Sequence, residues 1–136
     1  MRFQLREHTA DVAVEAHGET LGAVLAATAD GMAAAMCVDV PSDGDRFDLT
    51  VSAESRESLL FDYLDELIYQ RDVRGVLPVD NRAVVSQSDG AWSVDASARG
   101  VPLNAINARE VKAVTYSEMV LEERDDGWRS YVVLDV

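Results

Sequence analysis

Two aspartates stand far apart in this chain, each at the edge of an apolar, strand-like run: Asp11 in HTADVAVEA (8 to 16) and Asp135 in YVVLDV (131 to 136). Val136 follows with a carboxylate of its own. If the two terminal strands lie side by side, these acidic oxygens converge. Two unit charges about 4 Å apart repel by roughly 4 kcal/mol at an effective dielectric of about 20. Such a cluster needs a proton, a lysine or a metal ion to persist. Lys112, the only lysine, stands at the head of a third run, VKAVTY (111 to 116). A single lysine retained in a chain that otherwise uses arginine suggests an ion-pair or contact role.

Taken singly, these residues have plainer readings. Asp11 alone would be a corner aspartate bonding its own backbone, and Asp135 alone a frayed end. Glu66 is a further carboxylate that could turn towards the strand ends, although the acidic residues around it read as the solvated face of a helix. His8 sits in the HTAD corner, where it could ligate, shuttle a proton, touch a partner or serve the structure alone. His17 precedes Gly18 in a turn and reads as exposed. One cysteine and two scattered histidines do not make the closed nitrogen and sulfur set of a zinc site. Cys37 follows an apolar helical run and reads as a buried thiol. Trp92 and Trp128 each follow a hairpin turn and read as packing anchors.

The elements that must position these groups follow from periodicity. FQL (3 to 5) and VAVEA (12 to 16) alternate as half-buried strands. Thr20 is a good N-cap for a helix over about 20 to 37, with Leu21, Val24, Leu25, Thr28, Met32, Ala35 and Met36 at helical spacing. Gly31 weakens that helix by about 1 kcal/mol relative to alanine. After a turn at Pro41 to Gly44, FDLTVSA (47 to 53) alternates as a strand. Ser55 caps a second helix whose apolar stripe is Leu59, Leu60, Tyr63, Leu64, Leu67 and Ile68, and which ends near Arg71 to Gly75. VLPVDNRAVVS and AWSVDASA form a hairpin, residues 100 to 110 an excursion, and VKAVTYSEMVLEE with WRSYVVLDV a final hairpin. The order β-β-α-β-α-β-β-β-β describes an α+β domain with two helices packed on a mixed, largely antiparallel sheet. No repeat or linker divides residues 1 to 136, so one domain is expected.

Composition narrows the function classes. A net charge of −13 and the absence of any arginine cluster on a predicted face disfavour direct, tight nucleic-acid binding. The acidity fits a proteome adapted to high salt, where at about 1 M the Debye length falls to roughly 3 Å and self-repulsion is screened. The lone cysteine cannot pair internally, no long apolar run exists, and MRFQLREH lacks the apolar core of a signal peptide. A cytoplasmic protein is therefore expected, with neither membrane insertion nor secretion. An enzyme is conceivable in which Asp11 and Asp135 hold a divalent ion that activates water for hydrolysis of a phosphate or glycosyl substrate. No phosphate loop, nucleophile motif or cluster of histidines accompanies them.

With these strings placed on elements, the chain resembles the archease family. The resemblance is carried by HTADV, the helix TLGAVLAATADGMAAAM, the helix SLLFDYLDELIY, KAVTYS and the terminal GWRSYVVLDV, in that order and spacing. Ala13 replaces a glycine usual after HTADV, and Ser117 stands where a histidine commonly follows KAVTY. The resemblance implies the archease fold and a non-catalytic helper that activates the RtcB-type tRNA-splicing ligase. Such a helper promotes guanylylation and turnover of the ligase and broadens its nucleotide use. It also implies a metal site on Asp11, Asp135 and Val136 that takes Ca²⁺ or Mg²⁺, with Lys112 and His8 matching the family's functional surface less closely. Oxygen ligands alone suit a hard ion, and flexible geometry favours calcium. Together with the acidity, the resemblance points to a halophilic archaeon. A chaperone-like or RNA-processing adaptor is the alternative among binding proteins.

Overall fold

The computed structural model describes residues 3–7 and 11–136. Strands β1 (Phe3–Glu7) and β2 (Asp11–Gly18) lead into helix α1 (Leu21–Met36), strand β3 (Asp45–Ala53) and helix α2 (Arg56–Arg74). The hairpin of β4 (Val76–Ser88) and β5 (Ala91–Pro102) follows. After a short 3₁₀ turn at Leu103–Ala105 come β6 (Ala113–Arg124) and β7 (Gly127–Asp135). The helix starts have the expected chemistry. Thr20 Oγ1 accepts from the Ala23 amide at 3.0 Å, and Ser55 and Ser58 form a reciprocal capping box on α2. Gly75 ends α2 at φ 67°, a left-handed conformation that glycine adopts without a Cβ penalty.

The expectation of one mixed sheet gives way to two sheets, ordered β1-β2-β7-β6 and β3-β5-β4, in which every described pairing is antiparallel. Residues 103 to 112 carry the chain from one sheet to the other, so the late strands form two separate hairpins. Both helices contact both sheets: α1 lies on β2 and β4, and α2 on β6 and β3. The core is built from their apolar stripes and the facing sides of the strands, with Val14, Leu25, Leu59, Leu60, Leu64, Leu67, Leu77, Val94 and Leu134 fully or almost fully buried. Gly31 has a packing role that periodicity does not reveal, since a Cβ there would lie 2.4 Å from Val14 Cγ1.

One polar contact ties α1 to the C-terminal strand. Thr28 donates its hydroxyl proton to the Val24 carbonyl at 2.6 Å. With one proton per hydroxyl, the 2.7 Å contact between Thr28 Oγ1 and Ser130 Oγ must be donated by Ser130. Cys37 departs from the buried-thiol expectation. It is half-buried at the C-cap of α1, where the chain turns outward and Sγ reaches the Asp39 carbonyl at 3.4 Å.

Candidate functional site

The end of the first sheet brings the two aspartates together. β2 and β7 pair with Asp11 directly opposite Asp135, Val12 opposite Leu134 and Val14 opposite Val132. Opposed residues of an antiparallel pair share a face, with Cα atoms about 4.5 to 5.5 Å apart. Val12, Val14, Val132 and Leu134 are buried on the core side, so strand alternation sends both aspartates to the outer side. Asp11 is half-buried and Asp135 exposed. On the third strand, Ala113 stands opposite Asp135, adding a small side chain to the row and no charge. Val136 packs against the hydrophobic core, which anchors the chain just past Asp135.

Farther along the same outer face, carboxylates are neutralised. Arg129 Nη2 lies 3.1 Å from Glu15 Oε2 and Nη1 3.5 Å from Glu122 Oε1, while Arg124 Nη2 meets Glu122 Oε1 at 2.7 Å. The hydrogen bond from Arg124 holds the Glu122 carboxyl below its ordinary range, with Arg129 adding to the effect. Asp11 and Asp135 have no such partner: among the described residues neither forms an ion pair. Among the described residues the pair therefore stands without the compensation that Glu15 and Glu122 receive.

The other sequence candidates fall out differently. Lys112 is exposed and precedes β6 instead of heading it. Its backbone N–H donates to the Asp135 carbonyl at 2.8 Å, and among the described residues its ammonium makes no ion pair. Glu66 is engaged along its own helix, accepting from Gln70 Nε2 at 2.7 Å. His8 lies outside the described residues. His17 is exposed at the end of β2, 3.9 Å from Glu15. Trp92 and Trp128 pack on the core as expected. They also share a cation, Arg56, at 5.8 and 5.2 Å from their ring centres. Among the described residues no group of three or more His, Cys, Asp or Glu side chains converges. A metal at the pair would thus complete its shell with main-chain oxygens or water, a donor set that fits Ca²⁺ or Mg²⁺.

Residues 3–136 match the archease protein family (MTH1598/TM1083). The chain belongs to that family. It is 33% identical to protein archease of Pyrococcus furiosus over 138 residues, covering 96% of this chain and 95% of the relative. It is 31% identical to protein archease of Methanosarcina acetivorans, covering 99% and 96%. The solution structure of Methanobacterium thermoautotrophicum protein 1598 superposes with a TM-score of 0.84 at 28% identity, covering 99% of both chains. The crystal structure of an archease, possible chaperone (TM1083), from Thermotoga maritima gives a TM-score of 0.63 at 21% identity, covering 98% of this chain and 96% of that one. The archease fold, two helices against antiparallel sheets, is thus common to this chain and solved relatives.

Arg71 is the residue near this archease site that sequence reasoning missed. It reads as a helix-end cation, yet it is 8% exposed and donates from Nη1 to the Val111 carbonyl at 2.8 Å. A stripe reading could have found it: Leu64, Leu67, Ile68 and Arg71 fall on one helical face.

Proposed function

We propose that the chain is an accessory protein that activates an RtcB-type tRNA-splicing ligase, and that Asp11, Asp135 and a main-chain oxygen of Val136 hold a calcium or magnesium ion. In this reading it promotes guanylylation of the ligase, restores multiple turnover and broadens nucleotide use. Family membership supports the accessory role. The observation that carries the site is the Asp11–Asp135 pair, opposed on adjacent strands and without an ion-pair partner among the described residues. A bound divalent ion supplies the positive charge that lets two carboxylates share one spot. The chain's own residues do the holding: the β2–β7 register sets the spacing, Lys112 N–H fixes the Asp135 carbonyl, and Val136 seats the strand end on the core.

An activator must bind the competent state of its partner more tightly than the resting state, since equal affinity shifts nothing. A surface with net charge −13 suits a basic partner site better than tRNA itself, because phosphates and carboxylates repel. No helix among the described residues is long and apolar enough to cross a membrane.

The test is multiple-turnover ligation and guanylylation by the matching ligase with substoichiometric protein. The wild-type protein is expected to restore turnover where the ligase alone stalls, and Asp135→Asn is expected to fail while keeping its helical circular dichroism. Full activation by Asp135→Asn would reject the site. No activation by the wild type would reject the function.

A further inference from the structure

One arginine is buried beside the carboxylate pair's support. Arg71, in the last turn of α2, donates from Nε to Asp72 Oδ1 at 3.0 Å and from Nη1 to the Val111 carbonyl at 2.8 Å, with Met36 Sδ at 3.5 Å. Burying a guanidinium is costly unless charge and hydrogen bonds compensate it. Asp72 is a surface residue, its side chain 63% exposed, and it could pair with an arginine that stayed in water. The bond gained only by burial is the one to Val111.

That bond has a second end. The Val111 carbonyl and the Lys112 N–H belong to one planar peptide group. Its oxygen accepts from Arg71 at 2.8 Å, and its N–H donates to the Asp135 carbonyl at 2.8 Å. A charged donor on the oxygen polarises the amide and strengthens the N–H as a donor. Residues 107 to 112 have no helix or strand of their own. They are tied down by this peptide, by the Arg109 N–H on the Met36 carbonyl at 2.7 Å and by the buried Val111 side chain. A cavity of about 230 Å³, lined by Met36, Arg71, Leu103, Ala108 and Arg109, runs beside them. Close packing on that side therefore does not replace the hydrogen bonds.

We infer that Arg71 is a positioning residue for the Asp11–Asp135 pair, fixing through the 111–112 peptide the place from which Asp135 presents its carboxylate to a divalent ion. The inference rests on the ion-binding reading above. Arg71 touches neither aspartate; it acts on the strand end that carries one of them.

Calcium binding by calorimetry and hydrogen exchange of the Lys112 amide test it in wild type, Arg71→Met, Arg71→Lys and Asp135→Asn. Arg71→Met is expected to weaken calcium about tenfold or more, as loss of a supporting partner commonly does. Its Lys112 amide should exchange faster while the amides of α1 keep wild-type protection, a local signature that general destabilisation would not give. Arg71→Lys, which keeps the charge and one donor, should fall between the two in both readouts. Wild-type calcium affinity and Lys112 protection in Arg71→Met would overturn the role of Arg71 alone. If Arg71→Met does not fold, Arg71→Lys decides: a Lys112 amide as protected as in wild type overturns the inference. Absence of calcium binding in the wild type as in Asp135→Asn removes the ion reading, and the positioning role with it.

Discussion

At the scale of single residues, the outer face of the first sheet separates carboxylates that are compensated from those that have no ion-pair partner among the described residues. Glu122 belongs to the first kind. Its pKa lies below the ordinary 4.5 because Arg124 hydrogen-bonds the charged form, so the pairing favours the folded state above that ordinary value and is lost as pH falls through the lowered one. Arg124→Gln should bring the Glu122 pKa back towards 4.5, read by NMR titration of the carboxyl carbon; an unchanged value would deny Arg124 its part. Buried hydroxyls obey a stricter rule. In Thr28→Val, Ser130 loses the acceptor its proton reaches at 2.7 Å, which should cost about 1 to 3 kcal/mol in chemical denaturation. Adding Ser130→Ala should recover part of that loss, because no donor is then left unpaired. A double mutant less stable than the single would contradict this hydrogen-bond assignment.

At the scale of elements, both helices are legible in the sequence, because Thr20 and Ser55 cap them and the apolar spacing on α2 is regular. The strands are legible too, including the short turns that join the two hairpins. Their division into two sheets is not, since alternation says which face of a strand is buried and nothing about its neighbour. The start of β6 is a related case. VKAVTY alternates from residue 111, yet the strand begins at Ala113, the residue opposite Asp135 at the end of β7, and the Val111 carbonyl before it accepts from Arg71. From the sequence, Asp11 and Asp135 converge only on the condition that the terminal strands pair, which alternation does not decide, and the supporting arginine lies 64 positions before Asp135 in the chain. Gly31 shows propensity and packing in opposition. Alanine there would gain about 1 kcal/mol of helix propensity, but its Cβ would stand 2.4 Å from Val14 Cγ1 and 3.1 Å from Phe3 Cγ. Overpacking of about 1 to 3 kcal/mol should win, so Gly31→Ala is expected to lower the denaturation midpoint; a raised midpoint would mean that β1 and β2 yield freely.

At the scale of the whole molecule, the fold joins regions distant in sequence at one sheet end. β2 and β7 are neighbours although more than a hundred residues separate Asp11 from Asp135, and both helices brace the sheet that holds them. A chain of net charge −13 is best measured in concentrated salt, where long-range repulsion is screened over about 3 Å at 1 M and a specific ion site stands out from general counterion attraction. The decisive measurement is calorimetric titration of calcium into the wild type, Asp11→Asn and Asp135→Asn at high potassium chloride. One saturable site per chain in the wild type, lost in either variant with thermal unfolding still cooperative, is the expected result. Saturable binding of equal strength in all three proteins, or none in the wild type, would contradict the account.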